Sequence, residues 1–241
     1  MRSGNPALRG NVFTHAVAES GDAGTMTIQG TVNKTLILLL LVFIPAAWVW
    51  SNPVALTSLL LPALILGFIV ALVTIFRKEW AGITAPVYAV LEGVFLGGIS
   101  ALLERQYPGI VIQAVALTFG TLFCLLMAYT SRLIKPTENF KLGVVAATGS
   151  VALVYLVSIV MGFFGVRIPL IHGSGPIGIL FSLIVVIIAA LNLVLDFDFI
   201  ESGEAARAPK YMEWYGAFGL LVTLVWLYLE ILRLLSKIRS R

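Results

Sequence analysis

The chain has 241 residues, 59% of them hydrophobic and only 12% charged, and its mean hydropathy is +1.00. Soluble domains carry roughly 25% charged residues, so a soluble globule is excluded: it could not hide so much apolar surface. The net charge of +4 comes from basic residues scattered among apolar runs, which does not suggest a nucleic-acid partner, and the single cysteine, Cys124, excludes an intrachain disulfide or a thiolate metal site.

Met1 to Asn33 is polar, Gly-rich and without the basic-then-apolar order of a signal peptide. It reads as a mostly disordered cytoplasmic tail, residues 1–33, ahead of a membrane domain at 34–241. Seven apolar stretches follow: Thr35 to Trp50, Pro53 to Phe76, Trp80 to Leu103, Gly109 to Ser131, Leu142 to Gly165, Gly175 to Ile200 and Trp214 to Leu235. Each is long enough to cross about 30 Å of hydrocarbon as a helix, the first at the short end. They do not alternate apolar with polar, which excludes a β-barrel. The predicted class is therefore an all-α integral membrane protein of seven transmembrane helices, in which every backbone group is satisfied within its own helix.

Short polar turns separate the stretches: Ser51-Asn52-Pro53, Arg77-Lys78-Glu79, Glu104 to Pro108, Arg132 to Lys141, and Val166 to Ser174, which carries Arg167 and His172. The longest, Glu201 to Glu213, leads into the last stretch. Ten of the 16 Lys and Arg fall on the inner side if the N-terminus is cytoplasmic, so the chain is expected in the cell (inner) membrane with its N-terminus inside. The basic C-terminal group Arg233, Lys237, Arg239 and Arg241 dissents from that rule: it lies outside after seven full spans, the preferred reading, or inside if one late segment fails to cross. Small residues recur at Gly93, Gly97 and Gly98 and again at Gly143, Ala147 and Ser150, spacings that let helix backbones approach. Trp50, Trp80, Tyr211 and Trp214 fall at predicted interfaces.

Acids inside spans are costly and face protein or water. Glu92, near the middle of the third stretch, is the most expensive. It is either an ion- or proton-handling group or a neutral, hydrogen-bonded structural carboxyl. Asp196 and Asp198 close the sixth stretch about 200° apart on a helix, so they cannot share one site. Asp196 is expected to point inward and Asp198 to lie at the boundary. Glu230 has Arg233 at i+3, a simple pair.

Three segments resemble the Bax inhibitor (YccA-like) family of transmembrane proteins. They are Arg77-Lys78-Glu79-Trp80-Ala81-Gly82 running to Leu91-Glu92-Gly93; Ala190-Leu191-Asn192-Leu193-Val194-Leu195-Asp196; and Gly216-Ala217-Phe218 through Leu227-Tyr228 to Leu232-Arg233-Leu234. The opening Met1 to Pro6 looks like a bacterial branch of it. The resemblance implies six helices surrounding a central C-terminal one, and a pH-sensitive calcium leak. The family's gate is an aspartate pair latched by an arginine. Asp196 matches the first aspartate and Arg77 lies near the latch. Thr223 stands where the second aspartate would be, so the pair that shares a proton is absent in its usual form. Glu92 is a candidate substitute acid.

The leading expectation is thus an ion-leak channel passing Ca²⁺ or H⁺, with Asp196, Thr223, Glu92, Arg77 and Asp198 along its pathway or gate and Glu230 secondary. Asp196 would be a weak Ca²⁺ ligand, the ion being cargo and no cofactor being required. The first alternative is a non-conducting regulatory protein that binds another membrane protein, such as a protease. The second is a proton-coupled cation transporter, with Pro62 and Pro86 as its mid-span breaks. An enzyme is not expected, because the seventh stretch offers no aspartate to pair with Asp196 and neither histidine lies in a span.

Overall fold

The computed structural model describes residues 24–165 and 173–240. Among these residues, seven helices are long and apolar enough to cross a membrane. They are α1 (Ile28–Ser51), α2 (Pro53–Phe76), α3 (Ala81–Gln106), α4 (Ile110–Thr130), α5 (Glu138–Phe163), α6 (Pro176–Ala205) and α7 (Met212–Arg239), with a 3₁₀ turn at Lys78–Trp80 before α3. Among the described residues there is no strand, only an isolated antiparallel bridge between Thr25 and Pro209. The large apolar side chains left exposed, such as Phe43, Phe68, Ile112 and Leu153, are what a lipid-facing surface requires. Buried hydroxyls in these helices turn back on their own backbone. Thr31, Thr35, Thr74 and Thr118 each donate to the carbonyl four residues earlier, so these hydroxyls are satisfied within their own helix.

The described residues form two compact units, one of 24–106 with 198–222, the other of 107–165 and 173–197 with 223–240. In the first, α1 and α2 pack on α3. The α1–α3 contact runs backbone to backbone. A Cβ added at Gly97 would stand 2.5 Å from the Ala46 carbonyl oxygen, and one at Gly93 would meet the Val42 carbonyl. Val49 and Ala101 are buried in the same seam, with Val94 against them. The start of α7 joins this unit through Phe218, edge-on to Tyr88 at 5.1 Å, and through Gly216, close to Thr31, Ile200 and Met26.

The second unit is tied by side-chain bonds. Asn192 on α6 donates to Thr148 Oγ1 on α5 at 2.8 Å, and the Tyr129 ring lies tilted against Phe197 at 5.7 Å. Gly109 adopts a φ of +82°, a left-handed value natural to glycine, and starts α4. The last turn of α7 closes on this corner: Arg239 donates to the Pro108 carbonyl at 2.7 Å and to Gln113 Oε1 at 2.9 Å. α7 is mostly buried along its length, whereas few residues of α5 are.

Several boundaries differ from expectation. α1 begins at Ile28, ahead of the domain boundary expected at Lys34, because Thr27 caps it by accepting from the Gly30 N–H at 3.0 Å. The remainder of the expected tail, 1–23, and the loop carrying Arg167 and His172 lie outside the described residues. α5 starts at Glu138, capped by Thr137. α6 runs on to Ala205, so the polar stretch after Ile200 is mostly helix and the connection to α7 shortens to 206–211. Thirty residues at 1.5 Å each exceed the hydrocarbon thickness, and Glu201 and Glu204 ride on the protruding end. Pro45, as well as Pro62 and Pro86, sits inside a helix. The α5 glycine that looked like a packing position is open: nothing lies within 4 Å of a Cβ at Gly143.

Candidate functional site

Asp196 lies in the buried run Leu193 to Phe197 of α6 and is only 1% exposed. Asn192, one turn earlier on the same face, anchors that face to α5 and also bonds the Ile188 carbonyl. Thr223 is buried on α7 in the same unit. Asp198 is half-buried, as expected for the residue turned away from Asp196, and belongs to the other unit together with Arg77 and Glu92.

Glu92 is buried on α3. It is hydrogen-bonded to Tyr88 one turn before it, and its carboxylate would lie 3.7 Å from a Cβ at Gly67 of α2. A small residue on α2 thus leaves room for the acid. Arg77 ends α2, its N–H bonded to the Val73 carbonyl, and its exposed guanidinium lies over Trp80 at 5.9 Å. Among the described residues no three His, Cys, Asp or Glu side chains come together. A cation at Asp196 would therefore need carbonyl, hydroxyl or water oxygens as well.

Glu230 forms the expected pair with Arg233 at 3.1 Å. The Tyr155 hydroxyl of α5 also donates to both of its carboxylate oxygens, at 2.9 and 3.0 Å. The Arg233 guanidinium lies over the same tyrosine ring at 4.9 Å. The expected consequence is testable: Tyr155→Phe should lower stability by about 1 kcal/mol, the scale of hydrogen bonds between membrane helices. Thermal unfolding of the purified protein measures it, and no change would mean that Arg233 and Trp226, the other groups bonded to Glu230, suffice.

A second charge network was not foreseen. Glu213 is fully buried in the first turn of α7. It accepts from the Thr27 N–H and hydroxyl at 3.0 and 2.8 Å, pairs with Lys210 at 2.8 Å, and pairs with Lys34. Glu204 accepts from the Ile28 N–H at 2.9 Å, and the Met26 N–H donates to the Ala208 carbonyl at 2.7 Å. The segment before α1 is thereby clasped to the α6–α7 connection. Lys34 over Trp214 and Lys78 over Tyr215 complete a basic, aromatic end of this unit. Only the Lys210–Glu213 spacing was visible in the sequence; Lys34 and Thr27 are 179 and 186 residues from their acid.

Seven apolar helices carrying a few buried acids define a multi-pass integral membrane protein. The chain matches the family described as Bax inhibitor 1 like over residues 5–240, and it belongs to that family. Comparison with curated proteins and with solved structures gave no match.

Proposed function

We propose that this protein is a cation leak channel of the bilayer, passing Ca²⁺ under pH control, as its resemblance to the Bax inhibitor family implies. The observation that carries the reading is the burial of Asp196, at 1% exposure, within an apolar helix. A carboxylate in such a place is costly and is a functional candidate by default. Thr223 can supply a hydroxyl oxygen but no titrating group. Glu92, Asp198 and Arg77 enter the proposal as a second acid, a boundary acid and a latch. A weak oxygen site suits conduction, since an ion must leave as readily as it enters. α7 serves as the central helix. Its burial supports this, as does Ile238 being the only large apolar side chain exposed on it among the described residues. We place the N-terminus in the cytoplasm of a bacterial cell with the chain in the inner membrane, on the distribution of Lys and Arg, and assign no catalytic role.

The test is Ca²⁺ entry into dye-loaded proteoliposomes, comparing wild type with Asp196→Asn from mildly acidic to mildly alkaline pH. Flux should fall about tenfold, equivalent to ~1.4 kcal/mol of lost ion stabilisation, and lose its pH dependence in the variant. Equal flux from both proteins, at equal insertion, would remove Asp196 from the pathway. The alternative, a regulatory protein that binds another membrane protein, draws on the open face of α5. There Gly143 and Gly149 have nothing within 4 Å of an added Cβ, leaving room for a partner helix. No flux, together with specific co-purification of one membrane partner, would favour it.

A further inference from the structure

We propose that the Gly178 carbonyl and the Ser182 hydroxyl of α6 form a small-cation site, which the chain's own Lys237 fills as a tethered plug. Lysines near the end of a membrane helix ordinarily extend their ammonium toward water. Lys237, in the last turn of α7, does the opposite and is only 6% exposed. Its Nζ donates to Gly178 O at 3.0 Å and to Ser182 Oγ at 2.8 Å, and both of those residues are buried. Neutral oxygens replacing the water around a positive charge are what a conducted cation meets in a selectivity site. Two neutral oxygens in direct contact suit a monovalent ion better than a divalent one, which wants several oxygens. The nearest acid on the same face of α7 is Glu230, two turns earlier, and it is already held by Arg233 and Tyr155. Glu230 attracts the ammonium through space, but the hydrogen bonds of the ammonium go to the two neutral oxygens.

The binding site stands on this geometry alone. Its consequence, that Lys237 restricts cation passage, rests on the leak reading above. Full-length protein carrying Lys237→Ala should lose thermal stability and regain it with methylammonium chloride, but not with tetramethylammonium chloride at equal ionic strength. The second ion is too large to sit between the two oxygens. Equal response to both salts would overturn the site. Should the alanine variant not fold, Lys237→Met keeps the side-chain length while removing the charge and serves in the same comparison.

In proteoliposomes, Lys237→Met should pass monovalent cations about tenfold faster than wild type, corresponding to a barrier lowered by ~1.4 kcal/mol. Methylammonium should slow that flux. If wild type and variant leak equally and both depend on Asp196, the plug is overturned while the leak reading stands. If neither leaks, the leak reading falls, and the ammonium rescue alone decides the site.

Discussion

Gly97→Val will prevent the α1–α3 pair from assembling, and little monodisperse protein will be recovered. A Cβ at Gly97 would stand 2.5 Å from the Ala46 carbonyl oxygen and 2.6 Å from its Cα. Both are backbone atoms, so no side chain can rotate away. The helices must separate along the whole seam, including Gly93 and the buried Val49–Ala101 contact. Overpacking a well-filled site costs roughly 1–3 kcal/mol even when neighbours can yield, and here the neighbour is a helix backbone. Membrane helices associate through close packing without a hydrophobic drive, so a lost seam is not compensated by burial elsewhere. Gly143→Ala is the matched control. Nothing lies within 4 Å of its added methyl, and alanine is the better helix former by up to about 1 kcal/mol. Size-exclusion profiles and thermal unfolding of the two variants decide the matter. Equal recovery would mean that α1 and α3 are not in backbone contact.

The second large effect is expected from Glu213→Ala, a destabilisation of about 3 kcal/mol, the scale for removing one partner of a buried ion pair. The substitution leaves the ammonium groups of Lys34 and Lys210 without their shared carboxylate and the Thr27 N–H and hydroxyl without their acceptor. It also removes an acid from the first turn of α7, where the helix dipole favours one. Lys210 is about half exposed and contributes little; the loss falls mainly on Lys34 and Thr27. Glu213→Gln, which can still accept from Thr27, should cost clearly less. A double-mutant cycle with Lys34→Ala isolates that pair. If the alanine and glutamine variants unfold together with wild type, the clasp between the start of α1 and the α6–α7 connection contributes no stability.

How much was legible beforehand follows from what each feature depends on. Seven spans could be read because the length of an apolar run against bilayer thickness is a local property. The Glu230–Arg233 pair could be read because three residues along a helix bring two side chains together. The helix ends were less legible. Thr27 and Thr137 set two starts by capping, and α6 carried on through Glu201 and Glu204 because helix formation does not require an apolar residue. Asp196 was legible as a buried acid from its apolar neighbours, whereas the Tyr155 hydroxyl reaching Glu230 came from another helix.

The sequence by itself determined that this is a seven-helix membrane protein, which residues are costly in lipid, and, through three dispersed segments, its family resemblance. Only the tertiary structure decided that Gly97 touches a backbone while Gly143 faces open space, that Glu213 holds Lys34, and that Lys237 turns inward. The physical reason is that lipid and protein interior are equally apolar. Hydropathy therefore places a residue in the membrane without saying which neighbour covers it, and that choice belongs to packing between helices distant in the chain.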